Sequence, residues 1–247
     1  MKIARNVPGV CKAVYALKYL NKYKANIYKA REEGDAEFER ENILAATSTW
    51  GKRMLELFDV ELEVHGRENL PTEEDAPVVF VSNHQGYADI IVLCAVLDTV
   101  QMGFVAKKEL EKVPLYGEWM LAIRSVLIER DNPRESLKAI SAGVKNIQEG
   151  FSMVIFPEGT RAQGPDMGEF KKGALKLATK PKAPIIPISI DGTYKCFEQE
   201  GYMRGDKVKL MIHPAVPTDS ITKEEEHALT EDIRSIIQEG LEKLRAE

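Results

Sequence analysis

The stretch Pro77-Val78-Val79-Phe80-Val81-Ser82-Asn83-His84-Gln85-Gly86-Tyr87-Ala88-Asp89 determines how this chain folds. Its first half is a continuous apolar run, which is typical of a strand buried on both faces. The polar residues follow where that strand ends, and the apolar segment Asp89–Leu97 predicts a short buried helix directly behind them. A strand that leads through a polar turn into a helix predicts an α/β fold with ligands at the carboxyl ends of the strands.

The rest of the chain alternates short β-rich runs with helical patterns, which predicts a mostly buried central sheet flanked by helices. Strands are predicted at Val60–Val64, Pro77–Ser82, Ser125–Ile128, Met153–Phe156, from Ile185 and at Lys207–Ile212. Helices are predicted at Val10–Tyr28, Asp35–Phe58, Asp89–Leu97, from Asn132 to Gly150 and from Thr222 onward. The helix after Asn132 should begin with a capping box closed by Glu135 and should turn Leu137, Ile140, Val144 and Ile147 to the core.

The composition excludes several classes of protein. The chain has 247 residues, 44% of them hydrophobic and 30% charged, which fits a globular domain and excludes a mostly disordered chain. The cysteines Cys11, Cys94 and Cys196 are far apart, so neither a disulfide framework nor a cysteine-based zinc site is expected. The longest apolar run, Ile90–Leu97, is well short of the roughly twenty residues that span a bilayer.

The charges are unevenly distributed along the chain. Residues 1–31 contain eight Lys or Arg and no Asp or Glu, whereas the remainder carries a net charge of −13. An acidic body argues against nucleic-acid binding, because that function places basic residues on the domain itself. The basic N-terminal segment, residues 1–31, is called the leader, and its charge instead predicts attraction to an anionic surface.

The leader also has the pattern of an amphipathic helix. Tyrosine and lysine together on a helix are typical of a segment that lies in a membrane interface. We therefore predict a two-helix membrane-surface element at residues 1–58 and a catalytic α/β domain at residues 59–247. The alternative is two ordinary helices packed on the core. The residues assigned to membrane contact are Lys12, Tyr15, Leu17, Lys18, Tyr19, Leu20, Lys22 and Tyr23.

The first candidate site is the His84–Asp89 pair at the end of the buried strand. Across a turn, the Asp89 carboxylate can return to the imidazole, fix its tautomer and leave the other ring nitrogen as a general base. The motif is short enough to arise by chance. A helix-capping or core histidine is the alternative for His84.

The second candidate site is Phe156-Pro157-Glu158-Gly159-Thr160-Arg161, which follows a strand directly. Glycine lets the backbone approach a ligand, and the planar fork of Arg161 suits a phosphate group. Arg130 is a further cation near a strand end, although a surface ion pair explains it equally well. The apolar segment Ala183–Ile188 could line an apolar channel, but it is first of all expected to be core.

Together these segments resemble the glycerophospholipid acyltransferases. Asn83-His84-x4-Asp89, Ile128-Glu129-Arg130, Phe156–Arg161 and Ile186-Pro187 have the order and rough spacing of the four sequence blocks of that superfamily. The chain is most similar to the lysophosphatidate acyltransferases, and the resemblance covers about residues 60 to 215. Two departures are Gly86 and Ala162, where many members have Ser.

The resemblance implies transfer of a fatty acyl group from acyl-CoA or acyl carrier protein to the sn-2 hydroxyl of lysophosphatidate. His84 would be the base supported by Asp89, and the cations Arg161, Arg130 and Lys107 would bind the acceptor phosphate. The glycerol phosphate would also contact Glu158, Gly159 and Thr160, whereas Pro187 would lie on the acyl-channel or donor side. No resident cofactor and no metal are expected.

Both acceptor and product are membrane lipids, so we expect a peripheral or monotopic protein on the cytoplasmic face of a membrane, with a bacterial plasma membrane as the favoured case. An enzyme for glycerol-3-phosphate or another lysophospholipid is the main alternative. Outside this class, a metal-dependent hydrolase could use His84 and Asp89 as ligands, and a non-catalytic lipid-binding module would need only the leader and an apolar pocket.

Overall fold

The computed structural model describes residues 9, 15–18, 20–72, 76–129, 132–171, 173–222 and 224–246. Its strands are β1 (Glu61–His65), β2 (Val79–Ser82), β3 (Met102–Lys107), β4 (Val126–Ile128), β5 (Ser152–Ile155), β6 (Ile185–Asp191) and β7 (Lys207–Ile212). They form one seven-stranded sheet in the order β1-β7-β6-β2-β5-β3-β4. All neighbours are parallel except β6 and β7, which are antiparallel. The predicted α/β class is confirmed.

Seven α-helices accompany the sheet in the described part of the chain. They are α1 (Asn21–Glu33), α2 (Ala36–Phe58), α3 (Ala88–Val96), α4 (Tyr116–Ala122), α5 (Pro133–Gln148), α6 (Lys176–Thr179) and α7 (Glu226–Ala246). The sequence did not predict β3 or α4. The β3 segment contains Gly103 and ends in lysines, and α4 is only seven residues long, so neither has a strong pattern of its own.

Strand β2 lies at the centre of the sheet and is buried throughout, as its apolar run predicted. Successive side chains point to opposite faces, so Phe80 joins one hydrophobic core while Val79 and Val81 join a second. The first core contains residues of α1 to α4, and the second contains residues of α5 to α7. The sheet is therefore covered by helices on both faces.

Helix α5 begins as predicted. The side chain of Asn132 accepts hydrogen bonds from the backbone N–H groups of Arg134 and Glu135, and Pro133 is the first helical residue. Ile140, Val144 and Ile147 are buried. The core assignment of Leu137 is wrong, because its side chain is 54% exposed on the edge of a groove.

The last helix begins later than predicted. Thr222 and Glu225 do form the predicted capping box, since the Glu225 carboxylate accepts from the backbone N–H and the hydroxyl of Thr222. Glu224 and Glu225 form a turn, and regular helix begins only at Glu226. Leu229, Ile233 and Leu241 are buried in the second core, as predicted.

The N-terminal segment differs from the single predicted helix Val10–Tyr28. Residues 15–18 are helical, Leu20 is in a turn, and α1 continues past Tyr28 to Glu33. The second helix, α2, agrees with its prediction to within one residue. Within the described ranges, no helix combines the length and the apolarity that crossing a membrane requires.

The residues assigned to membrane contact divide into two groups. Leu20 is buried in the first core, and Leu17 and Tyr23 pack partly against it, so these three side chains contact the protein itself. Tyr15, Lys18 and Lys22 are exposed. Lys12 and Tyr19 lie outside the described residues. Helices α1 and α2 thus share a core with the sheet, and membrane contact by this segment stays a prediction.

A buried carboxylate joins the N-terminal helices to the body of the protein. Glu39 on α2 is 1% exposed and accepts hydrogen bonds from Arg31 on α1 and Arg124 beyond α4. Arg31 also donates to the backbone oxygen of Ala122, at 2.6 Å. Burial alone would raise the pKa of Glu39, but the bonds from Arg124 and Arg31 hold that pKa below its ordinary value.

Replacing Glu39 by alanine leaves Arg31 without its carboxylate partner and leaves Arg124 only its ion pair with Glu149. The free energy of unfolding should therefore fall by about 3 kcal/mol. Urea denaturation followed by circular dichroism measures this. Lys138→Ala is the matched control, since it removes an ion pair on the solvent-exposed side of α5. Equal midpoints for both variants would show that Glu39 contributes no more than a surface charge.

Candidate active site

The polar motifs meet at one edge of the sheet. Strands β2, β3, β4, β5 and β6 run in the same direction, so the loops that follow them lie side by side. The backbone N–H of Ala162 donates to the oxygen of His84 at 2.8 Å, and that of Gln163 donates to the oxygen of Gln85 at 3.0 Å. These bonds join the loop after β2 directly to the loop after β5. The sequence could indicate only that the two loops lie near each other.

His84 is held in one orientation. Its Nδ1 lies 2.7 Å from Oδ2 of Asp89, and its ring stacks on Phe156 with centroids 4.0 Å apart. An ionised carboxylate only accepts hydrogen bonds, so Nδ1 carries the proton and Nε2 is left as the basic nitrogen. The His84 side chain is 13% exposed, so it can still be approached.

Asp89 is fully buried and receives three hydrogen bonds. Oδ2 also accepts from the backbone N–H of Gly86 at 2.9 Å, and Oδ1 accepts from the hydroxyl of Thr193. A buried charge is tolerated only when it is paired and hydrogen-bonded. These donors therefore keep Asp89 available as the partner of His84.

Two amide side chains hold the end of β6 beside this pair. The side chain of Asn83 donates to the oxygen of Ile190 and accepts from its N–H, both at 2.8 Å. Gln85 accepts from the N–H of Gly192 at 2.9 Å. Both side chains are buried, and their bonds fix the turn that carries Thr193.

Glu158 contacts the protein backbone, which differs from the glycerol-phosphate contact implied by the resemblance. Its carboxylate accepts from the N–H of His84 at 2.6 Å and from the N–H of Gly168 at 2.7 Å. The residue is 3% exposed, and burial raises the pKa of its carboxyl above the ordinary value despite these two bonds. Glu158 therefore supports the backbone of His84.

Arg161 is paired with Glu198, which lies outside the sequence motifs. Its Nη1 donates to Oε1 of Glu198 at 2.8 Å, and its guanidinium lies 3.6 Å from the centroid of the Tyr87 ring. The carboxylate partner of Arg161 therefore comes from the segment that follows β6. Arg161 nevertheless lies on the loop next to His84, as a phosphate-binding cation should.

A groove of about 410 Å³ adjoins Phe156 and Gly159. Its position next to Phe156 brings it close to His84, because the two rings are stacked. Lys171 and Lys176 also line it. The apolar part of its wall consists of Val105, Ile128, Leu137, Ile140, Ile155, Phe156, Pro157 and Ala174. The exposed Leu137 thus belongs to a concave apolar surface.

Comparison with known protein families identifies the family of this chain. Residues 61–191, more than half of the sequence, match the protein family described as Acyltransferase. The chain belongs to the acyltransferase family.

Several proteins with known names are similar to this chain in sequence. The 1-acyl-sn-glycerol-3-phosphate acyltransferase of Bacillus subtilis is 32% identical over 187 residues, which cover 74% of this chain and 89% of that protein. The chloroplastic enzyme BAT2 of Brassica napus is 33% identical over 157 residues, which cover 62% of this chain and 44% of the plant protein. The chain thus spans about half the length of its chloroplast relatives.

A solved structure covers the whole acyltransferase chain. The crystal structure of the 1-acyl-sn-glycerophosphate (LPA) acyltransferase PlsC from Thermotoga maritima aligns with a TM-score of 0.75 and 25% sequence identity. The alignment covers 100% of this chain and 99% of the other. The mixed sheet with flanking helices is therefore shared over the full length.

Of the remaining predicted site residues, Gly159, Thr160 and Lys107 lie at or just after strand ends on the same edge. Gly159 has a φ of +70° in the turn after β5, where a side chain would be strained, and Thr160 is exposed. Lys107 ends β3 and pairs with Glu109 at 2.9 Å. Pro187 is buried within β6 opposite Val81. Arg130 lies outside the described residues, and its role stays a prediction.

Sequence reasoning missed Thr193 and Glu198 as functional residues. Both follow β6, 104 residues after Asp89 for Thr193 and 111 residues after Tyr87 for Glu198, and neither belongs to a recognisable pattern. The only signal was that polar residues follow the end of a buried strand parallel to β2. Their partners could be identified only from the folded chain.

Replacing Glu158 by glutamine should lower kcat about 10- to 100-fold, because an amide nitrogen would then face one of the two backbone N–H donors. The acceptor KM should change less than about threefold, since no substrate contact is lost. Steady-state kinetics beside the exposed control Glu169→Gln measures both. A raised acceptor KM with an unchanged kcat would instead favour the glycerol-phosphate role.

Proposed function

We propose that this protein is a 1-acyl-sn-glycerol-3-phosphate acyltransferase, which transfers a fatty acyl group from an acyl thioester to the sn-2 hydroxyl of lysophosphatidate. The observation that carries the proposal is the buried His84–Asp89 pair with Arg161 on the adjoining loop. A base and a phosphate-binding cation at the same sheet edge match an acceptor that contains both a hydroxyl and a phosphate. Several similar proteins bear this enzyme name.

The geometry supports general-base catalysis by His84. Nε2 removes the proton from the acceptor hydroxyl as the hydroxyl oxygen attacks the thioester carbonyl. Asp89 stabilises the imidazolium that results. The tetrahedral intermediate then expels the thiolate. The thiolate accepts the proton that His84 took from the hydroxyl. Such assistance is typically worth 10²- to 10⁴-fold in rate, or about 3–5 kcal/mol. No resident cofactor is needed in this scheme.

The bonds at Asp89 favour this scheme over a metal-dependent hydrolase. The carboxylate already receives bonds from His84, Gly86 and Thr193, so its oxygens are occupied in positioning the imidazole. A metal site would also need further ligands. Within the described ranges, no group of three or more His, Cys, Asp or Glu side chains could hold a metal ion.

The groove next to Phe156 supports the proposed use of a fatty acyl thioester. It is concave, mostly apolar and adjoins the ring that stacks on His84, as a binding site for an acyl chain requires. Acyl-CoA and acyl carrier protein both deliver such a chain as a thioester, and both remain candidate donors. We propose that the fatty acyl chain binds in this groove rather than near Pro187.

The exposed side chains of the leader support a location at a membrane surface. Tyr15, Lys18 and Lys22 are directed outward, while Leu17 and Leu20 pack against the core. Contact would therefore depend on lysines and tyrosine rather than on deep insertion of leucines. We propose peripheral association with an anionic membrane, with the cytoplasmic face of a bacterial plasma membrane as the favoured location.

The variant His84→Ala should lose about 10²- to 10⁴-fold in kcat while remaining folded, because only the base is removed. The assay uses lysophosphatidate in mixed micelles with labelled acyl-CoA or acyl carrier protein, and it detects labelled phosphatidate. His227→Ala, at an exposed position of α7, is the control. Near-normal turnover by His84→Ala would contradict the mechanism, and no product from the wild type with either donor would contradict the proposed acceptor.

Charge reversal tests the membrane surface better than truncation, because removing residues 1–31 would also remove the buried Leu20 and Ile27. The double variant Lys18→Glu/Lys22→Glu should co-sediment less with anionic vesicles, since each basic residue near such a surface contributes about 1 kcal/mol. Lys138→Glu/Lys145→Glu places the same charges on α5 and should bind like the wild type. Equal loss in both variants would indicate a nonspecific charge effect.

A further inference from the structure

Glu198 is a buried carboxylate that belongs to none of the sequence motifs. It follows the turn Thr193–Cys196 after β6, and its side chain is only 3% exposed. Oε1 accepts two hydrogen bonds, from Nη1 of Arg161 at 2.8 Å and from the backbone N–H of Tyr87 at 3.0 Å. One oxygen thus links the phosphate-binding arginine to the turn between His84 and α3.

The guanidinium of Arg161 is held from two directions. One face lies on the ring of Tyr87, which in turn makes an edge contact with Phe197 at 5.4 Å between ring centroids. In the part of the chain that the structure describes, Glu198 is the only group that accepts a hydrogen bond from this guanidinium. The Arg161 side chain stays 27% exposed, so its remaining N–H groups can reach a ligand.

The other oxygen of Glu198 is kept in place at a cost. Among the described residues, Oε2 is buried without a hydrogen-bond partner, and burial raises the pKa of this carboxyl. It lies directly over Gly86, where any side chain would collide with it. A buried oxygen without a hydrogen-bond partner destabilises the fold, and here it occupies space that a glycine leaves open. Such an arrangement is more characteristic of a functional site than of a site optimised for stability.

We propose that Glu198 is a positioning residue that fixes the Arg161 guanidinium for the phosphate of the acceptor. An arginine side chain loses considerable rotational freedom when it binds, and prior fixation removes that cost from the binding step. The negative charge of Glu198 also opposes a phosphate, so its benefit must come from orientation. The proposal rests on the proposed function only for the identity of the acceptor.

Two substitutions separate orientation from charge. Glu198→Met fills a similar volume but cannot accept a hydrogen bond, and it should raise the acceptor KM about tenfold with little change in kcat or in the donor KM. Glu198→Gln keeps one oxygen for Arg161 and Tyr87, and its KM should be at or below that of the wild type. Glu200→Met is the control, because it removes a charge from the same segment without contacting Arg161.

A double-mutant cycle tests whether Glu198 acts through Arg161. In the Arg161→Ala background, Glu198→Met should have no further effect on the acceptor KM, because the positioned group is already absent. A full tenfold effect that persists in this background would overturn the proposal. An unchanged or lowered KM for Glu198→Met alone would also overturn it.

Direct binding separates this inference from the proposed reaction. The affinity of a short-chain lysophosphatidate below its micelle concentration is measured by calorimetry for the wild type and for Glu198→Met. If the wild type forms no phosphatidate but the variant still binds this probe about tenfold more weakly, the positioning role stands and the proposed function fails. If the wild type forms phosphatidate and both proteins bind the probe equally, only the positioning role fails.

Discussion

The structure of the site depends on the burial of one charge, the carboxylate of Asp89. It lies at the start of α3, is fully removed from solvent and must therefore receive hydrogen bonds from several directions. His84 and Gly86 provide two of them from its own loop, and Thr193 provides the third from the end of β6. Satisfying this one group brings together the loops that follow two parallel strands.

The loops at the sheet edge that carries the candidate site are held by side chains that bind backbone groups. Asn83 bonds to the backbone of Ile190 near the end of β6, and Gln85 bonds to that of Gly192 after it. Glu158 bonds to the N–H groups of His84 and Gly168. Backbone groups beyond the last ladder bond of a strand need such partners when they are buried. Several conspicuous polar residues of the motifs thus maintain the geometry of the candidate site, while the side chains of His84 and Arg161 stay partly exposed.

Buried carboxylates hold arginines at two places in this protein, with different consequences. Glu39 joins Arg31 and Arg124 and connects the N-terminal helices to the body of the fold. Glu198 holds Arg161 beside the loop of His84, and one of its own oxygens has no hydrogen-bond partner among the described residues. The first carboxylate has both oxygens bonded, as expected of a structural contact, and the second is imperfectly satisfied, as is common near functional sites.

Local sequence determined the α/β class, most of the strands, the cap of α5 and the pairing of His84 with Asp89, because each depends on residues close together in the chain. The tertiary structure decided the contacts of Thr193 with Asp89 and of Glu198 with Tyr87, since these join residues 104 and 111 positions apart and have no local pattern. It also decided that Leu17 and Leu20 face the core while Leu137 faces a groove. An apolar residue at helical spacing shows which stripe it belongs to, but its neighbours are known only when the other elements are in place.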